Sequence, residues 1–163
     1  MIRLRTRLLT AGTLSLIFCL VSSVSAEVKL AGVFSDHMVL QRDVSLPIWG
    51  WASEGEKVTV TVAGQTHEAT VVKGRWQVQL KPLPVGGPHQ LTVSGVNKVS
   101  IKDILIGEVW LCSGQSNMAM TVARSQNFEA EQKTAKYPNI RMFTVTKNAT
   151  PELQTDCQGS WHV

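Results

Sequence analysis

Alternating apolar and polar residues mark several short β-strands between about residues 38 and 100. Residues 58–62 read VTVTV, which would place three valines on one face of a strand and two threonines on the other. Residues 75–80 alternate in the same way, and their inward side chains would be Trp76, Val78 and Leu80. Two further strands are predicted over 66–72 and 90–93, with a two-residue turn at Lys73-Gly74. Strands this close together, with no helical period among them, predict a β-sandwich of two antiparallel sheets, which we assign to an accessory domain over residues 27–103.

The pattern changes after Asp103. Residues 104–111 read ILIGEVWL, a nearly continuous apolar run that is typical of a strand buried on both faces of a parallel sheet. Helix-favouring residues follow over 128–136, and residues 140–145 predict another strand. Strand, helix and strand in this order form a βαβ unit. We therefore expect residues 104–163 to be the first βαβ part of an incomplete α/β domain.

The N-terminus has the features of a secretory signal peptide. Residues 1–7 carry three arginines, residues 8–21 are almost wholly apolar, and small side chains lead to Ala26. We predict cleavage after Ala26, which makes residues 1–26 an export signal and the protein periplasmic or extracellular. An uncleaved anchor helix is the alternative, but an apolar run of roughly 14 residues is short for a membrane span. No integral membrane segment is expected after cleavage.

Loss of the signal changes the charge and the cysteine content. The whole chain has 16 Lys and Arg against 12 Asp and Glu, and the signal contains three of the arginines. The remainder is nearly neutral, so we expect no nucleic-acid partner. Cys112 and Cys157 remain; they either form a disulfide, which export would permit, or stay two separate buried thiols. The histidines lack metal-ligand spacing, so neither a metal nor another cofactor is expected, and we predict surface positions for His37, His67 and His89.

Ser116 is the candidate nucleophile. It follows the apolar run, at the carboxyl end of a predicted sheet strand, where open α/β sheets bind their ligands. Gly114 would permit close backbone approach, and the N–H groups after the turn could hold the oxyanion of an acyl-transfer reaction. A serine hydroxyl also needs a histidine base that a third group orients. The structural alternative is that Ser116 caps a helix.

The turn GQSN at residues 114–117 resembles the first sequence block of the SGNH-hydrolase superfamily. It is not the Gly-x-Ser-x-Gly elbow of α/β-hydrolases, because no glycine lies two residues after the serine. Residues 107–118, GEVWLCSGQSNM, resemble more specifically the bacterial sialate O-acetylesterase family. Residues 33–42, VFSDHMVLQR, and 137–143, YPNIRMF, are similar to further segments of that family. The resemblance covers essentially all of the chain after the signal.

This resemblance implies an exported serine esterase that removes O-acetyl groups from sialic acid or related sugars, with an SGNH-type, flavodoxin-like α/β domain. Ser116 would be the nucleophile and its own N–H one oxyanion donor. The residues supporting the motif would be Gly114, Gln115 and Asn117. The family's catalytic Asp-x-x-His, its later glycine and its later asparagine are absent from this chain; His162 has Gly159, not an acid, three residues before it. We therefore expect an N-terminal piece of a longer esterase, inactive and aggregation-prone on its own.

A secreted carbohydrate-binding module without catalysis is the alternative from another functional class. Trp49 and Trp51 are two residues apart, so on a strand they share a face. Together with Trp76 they would form an exposed platform on which sugar rings stack. Otherwise these tryptophans belong to the core or to a domain interface. The two alternatives predict opposite exposures for the same rings.

Overall fold

A computed structural model describes residues 26–163, so the predicted signal peptide, apart from Ala26, lies outside the described residues. The first part of the described chain consists of β-strands. They are β1 (Lys29–Leu30), β2 (Val39–Gln41), β3 (Leu46–Trp51), β4 (Lys57–Val62), β5 (Gln65–Thr70), β6 (Arg75–Leu80), β7 (Gly86–Ser94) and β8 (Lys98–Gly107). After β8 come two 3₁₀ turns, one α-helix and two strands. These elements are Ser116–Ala119, Val122–Arg124, α1 (Phe128–Thr134), β9 (Met142–Val145) and β10 (Gly159–His162).

The strands from β1 to β8 form two sheets. The smaller sheet has the order β1-β3-β6 and is antiparallel, and the larger has the order β2-β8-β7-β4-β5. Within the larger sheet, β2 and β8 are parallel, whereas the other neighbours are antiparallel. Backbone hydrogen bonds from His37 N–H to the Lys102 oxygen and from Leu105 N–H to the Met38 oxygen hold β2 in this direction. The larger sheet is therefore mixed, and the predicted sandwich of two antiparallel sheets is not confirmed.

Alternation along the strands builds the hydrophobic core. The three valines of β4 are at most 1% exposed, and the three inward side chains of β6 are at most 5% exposed. Both predicted inward faces are confirmed. Because full burial of an aliphatic side chain contributes about 1.5–3 kcal/mol, these paired faces are a main source of stability for the first eight strands.

The predicted turn at Lys73-Gly74 is also confirmed. Lys73 and Gly74 have φ angles of 54° and 73°. Positive φ at both central residues is the geometry of a type I′ turn, whose twist matches that of the flanking strands. The N–H groups of Val72 and Arg75 each donate to the other's carbonyl oxygen, at 2.9 and 3.1 Å. The turn thereby sets the register in which β6 begins.

The apolar run after Asp103 is only partly a strand. β8 begins before Asp103 and ends at Gly107, so the predicted strand over 104–111 is wrong in its second half. It is also not the first strand of a separate parallel sheet, because β8 pairs with β7 and β2 in the mixed sheet. Trp110 and Leu111 are 82% and 95% exposed. An apolar run becomes a buried strand only where partners cover it, and among residues 26–163 no strand pairs with the chain just beyond Gly107.

The predicted βαβ unit does not form in the described residues. α1 and β9 fall within their predicted ranges of 128–136 and 140–145. However, β9 pairs antiparallel with β10 instead of parallel with β8. A parallel crossover requires a helix that packs on the sheet, and α1 has seven residues, none of them buried. The fold class over residues 26–163 is thus mostly β-strand, with a mixed sheet and little helix. The division at residues 103 and 104 stays a prediction, and β8 runs across it.

Candidate active site around Ser116

Ser116 opens a tight, exposed turn shortly after β8. Residues 108–115 form neither helix nor strand, and Gln115 has an extended backbone with φ −77° and ψ −172°. The Met118 N–H then donates to the Gln115 carbonyl oxygen at 2.9 Å, which bends the chain into the 3₁₀ turn. Ser116 is the first residue of this turn and is exposed. The extended segment and the sharp bend together present its side chain at the surface.

The structure does not use Ser116 as a helix cap. The capping position belongs to Gln115, and its side chain makes no capping hydrogen bond. The capping alternative for Ser116 is therefore wrong. The first N–H groups of any helical turn lack partners within the turn, and Ser116 and Asn117 occupy these positions. The start of the turn thus combines a hydroxyl with backbone donors.

Gly114 is closely approached by the turn that follows it. A Cβ atom placed on Gly114 would lie 2.8 Å from the Met118 Cγ atom, so a larger residue would have to displace that side chain. The Met120 N–H closes the turn by donating to the Asn117 carbonyl oxygen at 3.1 Å. The structure thus brings all the residues predicted for this motif into one bend: Gly114, Gln115, Ser116 and Asn117.

Within residues 26–163, no histidine forms a hydrogen bond with the Ser116 hydroxyl. The bonded histidines pair elsewhere, at 2.6 Å for His37 with Asp103, 3.0 Å for His67 with Gln65 and 2.9 Å for His162 with Ser160. In the same range, no group of three His, Cys, Asp or Glu side chains is arranged to hold a metal ion. Cys112 and Cys157 are free cysteines, and Cys112 is exposed. The structure therefore has two separate thiols and not the disulfide, but the expected burial of both is wrong, because Cys112 is exposed and Cys157 is half-buried.

The chain that leads to Ser116 is fixed to the end of β2. Glu108 accepts hydrogen bonds from Arg42 Nε at 2.6 Å and from Gln41 Nε2 at 3.0 Å. The oxygen of the same Gln41 amide accepts the Val109 N–H at 2.8 Å, and the Arg42 N–H donates to the Gly107 carbonyl oxygen at 2.9 Å. We call these contacts of Gln41, Arg42 and Glu108 the exit clamp.

The chain returns to the sheet through Arg141. Its guanidinium donates to the His37 carbonyl oxygen at 3.1 Å, to Asp103 Oδ1 at 3.0 Å and to the Asp103 carbonyl oxygen. The other Asp103 carboxylate oxygen lies 2.6 Å from His37 Nδ1. The Arg141 side chain is only 6% exposed. We call Arg141, Asp103 and His37 the return clamp.

Sequence reasoning missed both clamps. His37 was predicted to be a surface residue without a role, and it is exposed, but its side chain is bound to Asp103. One signal was present: Asp103 comes directly before the apolar residues that begin at Ile104, and a carboxylate that is partly shielded from water needs a partner. No sequence feature pointed to Arg141 as that partner, because the two residues are 38 positions apart.

The clamps lower the pKa of two carboxyl groups. Asp103 has its pKa lowered below the ordinary 3.8, mainly by the hydrogen bond with His37 and then by that with Arg141. Glu108 has its pKa lowered below 4.5, mainly by the hydrogen bond from Gln41 and then by that from Arg42. A hydrogen bond to the charged form of a carboxyl group favours that form. Both clamps therefore depend on carboxylates that stay ionised in mildly acidic solution.

We expect both clamps to weaken in acid. Because the pKa values of Asp103 and Glu108 are depressed by folding, their stabilising effect is present above pH 4.5 and is lost as the pH falls below 3.8 and through the folded-state pKa values. Carboxyl carbon resonances followed by NMR during an acid titration should give midpoints below 3.8 and 4.5, respectively. Gln41→Ala should move the Glu108 midpoint upward and leave that of Asp103 in place. Midpoints at or above the ordinary values would contradict this.

The tryptophans do not form an exposed platform. Trp76 is 2% exposed, and its Nε1 donates to the Trp51 carbonyl oxygen at 3.3 Å. Trp49 meets Phe34 edge to face, with ring centroids 4.6 Å apart, and both Trp49 and Trp51 pack against the core. The core interpretation of these residues is confirmed, and the three-ring sugar platform is wrong. No helix of residues 26–163 has the length and apolar character to cross a membrane.

Comparison with known proteins identifies acetylesterases as relatives. No protein-family model matches the chain. It is 39% identical to the sialate O-acetylesterase of Rattus norvegicus over 150 residues, which cover 82% of this chain and 28% of that protein. It is 38% identical to the sialate O-acetylesterase of Homo sapiens over 141 residues, 77% of this chain and 27% of that protein.

A solved structure gives the same result. A carbohydrate acetylesterase from Xanthomonas citri superposes with a TM-score of 0.81 at 31% identity, over 83% of this chain and 32% of that one. The chain thus spans between a quarter and a third of the length of these relatives. Over that part of their length, the chain is similar in sequence to sialate O-acetylesterases and in structure to a carbohydrate acetylesterase.

Proposed function

We propose that this chain is part of a carbohydrate O-acetylesterase of the sialate O-acetylesterase kind, with Ser116 as its nucleophile. The observation that carries the proposal is the presentation of Ser116 as the exposed first residue of a sharp turn, in a chain whose relatives are acetylesterases. Gly114, Gln115 and Asn117 would shape this turn. The activity of the whole protein is part of the proposal, because the chain spans only a fraction of its relatives.

The proposed reaction has two steps. The Ser116 Oγ atom attacks the acetyl carbonyl carbon while its proton passes to a histidine base, and the resulting tetrahedral intermediate expels the sugar oxygen, which takes that proton. A water molecule, deprotonated by the same base, then attacks the carbonyl carbon of the acetyl-serine. The second tetrahedral intermediate breaks its bond to the Ser116 Oγ atom, which takes the proton back from the base, and acetate is released. The negative oxygen of each intermediate would be held by the Ser116 N–H and by further donors. This mechanism uses no metal or other cofactor.

The base in this proposed mechanism would be a histidine other than the histidines of residues 26–163. None of them is bonded to Ser116 within residues 26–163. In an SGNH-type site, which the sequence block around Ser116 resembles, an Asp-x-x-His pair would supply both the base and its orienting acid. We accordingly expect the chain by itself to hydrolyse esters only slowly, through oxyanion stabilisation without base catalysis.

The proposed substrate is an acetylated sugar, either O-acetylated sialic acid or a related glycan. We also propose that residues 1–26 direct export, to the periplasm or the outside, where such glycans occur. Residues 27–103 would then form the accessory domain and residues 104–163 the start of the SGNH-type esterase domain. The relatives are named acetylesterases, which supports an acetyl ester as the bond that is hydrolysed. Their names do not agree on one sugar that carries this ester.

Acetate release tests the proposed function. An esterase that contains this chain should release acetate from 9-O-acetylated sialic acid or from acetylated xylan, and the ratio of the two rates identifies the sugar. The N-acetyl group of sialic acid serves as an internal control, because an esterase of this type should leave the amide intact. A correctly folded protein that releases no acetate from either ester would rule the proposal out.

A further inference from the structure

Residues 108–140 form a long excursion from the sheet with very little packing of its own. It leaves at the end of β8 and returns at Arg141, just before β9. Every residue in it is exposed except Phe128, which is half-buried. Segments with few buried apolar contacts open at low free-energy cost. The position of Ser116, which lies on this excursion, therefore depends on how the two ends are held.

Both ends are held by the same pair of parallel strands. The exit clamp uses Gln41 at the end of β2, and the return clamp uses Asp103 within β8. β2 and β8 are paired from Val39 with Leu105 to Gln41 with Gly107. At the usual rise of a strand, the four residue-to-residue steps from Asp103 to Gly107 span about 13 Å. The excursion is thus a closed loop whose two ends are fixed a short distance apart on one strand.

The return clamp is more buried than the exit clamp, and its hydrogen bonds depend more strictly on an arginine. Exposed ion pairs such as that of Arg42 with Glu108, whose side chains are 43% and 50% exposed, contribute little on their own. Arg141 is different, since its side chain is 6% exposed and its planar guanidinium meets acceptors on both His37 and Asp103. A lysine ammonium is a point charge and cannot reproduce such a fork of donors.

We propose that Arg141, held by Asp103 and His37, is a positioning residue that fixes the Ser116 turn relative to the sheet. The inference rests on the proposed function, because positioning matters for catalysis only if Ser116 reacts. Arg141 would not touch the substrate. It would fix the far end of the excursion, so that Ser116 is presented in one place instead of over a range of positions. Misplacement of a nucleophile by about 1 Å can lower the rate about 10²-fold.

The positioning role can be tested in the chain without any assay of activity. A nitroxide label on the exposed Cys112 and another on Glu68→Cys, exposed on β5, report the distance between the Ser116 turn and the sheet when Cys157 is replaced by serine. We expect one narrow distance peak, which Arg141→Lys should broaden. Arg124→Lys is the matched control, because Arg124 is an exposed arginine on the same excursion, and it should leave the peak unchanged.

A second variant covers a failure of Arg141→Lys to fold. Asp103→Asn keeps the side-chain shape at a residue whose φ is 55°, a conformation that asparagine tolerates. It removes the charge and replaces one of the two acceptor oxygens by an NH2 donor. It should broaden the same peak. A narrow peak in both variants would overturn the positioning role.

The catalytic consequence is tested separately in the proposed acetylesterase. Arg141→Lys should lower kcat about 10²-fold with a much smaller change in KM, because the substrate contacts remain and the nucleophile is displaced. A broadened distance peak with unchanged kcat would overturn the link between position and catalysis. An unsubstituted esterase that releases no acetate would overturn the proposed function instead, and the distance measurement would still decide the role of the clamp.

Discussion

Replacing Ser116 by alanine is expected to lower kcat of the proposed acetylesterase by several orders of magnitude, about 10⁶-fold by comparison with serine hydrolases that lose their nucleophile. The substitution removes the atom that forms the acyl-enzyme bond, so only oxyanion stabilisation and substrate binding remain. KM should change far less, because the hydroxyl contributes little to binding the ground state. Steady-state acetate release gives both constants. Labelling by a fluorophosphonate, which forms a covalent bond with activated serines, should disappear in parallel.

Ser113→Ala provides the matched control for this result. Ser113 is exposed, lies three residues before Ser116 and belongs to the irregular segment that leads to the Ser116 turn. Its loss should leave acetate release and labelling near those of the unsubstituted protein. Full activity in Ser116→Ala, or equal losses in the two variants, would show that another residue is the nucleophile. The same comparison distinguishes an esterase from a sugar-binding module, in which neither serine would matter.

Short-range patterns predicted the first part of the fold well where one face of a strand is buried, as in β4 and β6. The alternation in β4 places its valines in the core whichever strands lie beside it, since the side chains of a strand alternate between its two faces. The turn at Lys73-Gly74 could likewise be predicted, because its geometry depends on two adjacent residues. In both cases the information lies within a few residues of sequence.

Predictions that depended on distant partners were wrong. The run over 104–111 is nearly all apolar, yet only Ile104 and Ile106 are deeply buried, at 0% and 2% exposure, and they follow the alternation of a sheet strand. The parallel partner of β8 is β2, more than 60 positions earlier in the chain. Similarly, β9 has a sequence suited to a parallel sheet but pairs with β10. Sequence composition indicates a strand without indicating which strand lies beside it.

The candidate site shows the same division. The bend from Gly114 to Asn117 could be located by its resemblance to a known sequence block, since all its residues are adjacent. The return clamp could not, because His37 and Asp103 are 66 positions apart and Arg141 lies a further 38 beyond. Only the parallel pairing of β2 with β8 brings the first two residues together. The sequence thus predicted the residues of the bend, which are adjacent in the chain. It did not predict the return clamp, whose residues are far apart in the chain.

Trp76→Ala should destabilise the chain by about 3–5 kcal/mol, the usual cost of truncating a buried tryptophan. Trp76 is 2% exposed in β6 and faces Gly50 of β3, where a Cβ atom would lie only 2.8 Å from its Cζ2 atom. The ring therefore packs tightly against β3, and its loss leaves a cavity and removes the hydrogen bond to the Trp51 carbonyl oxygen. The free energy of unfolding can be measured by urea denaturation.

Trp110→Ala is the control for this measurement, since it removes the same side chain from a position that is 82% exposed. It should change the free energy of unfolding by no more than about 0.5 kcal/mol. Trp76→Phe should fall between the two, because it keeps an aromatic ring in the space and loses the hydrogen bond to Trp51. Equal destabilisation by Trp76→Ala and Trp110→Ala would contradict the packing of β3 against β6. It would also mean that Trp76 does not contribute to a packed core. The first eight strands could then no longer be treated as the rigid support of the Ser116 excursion.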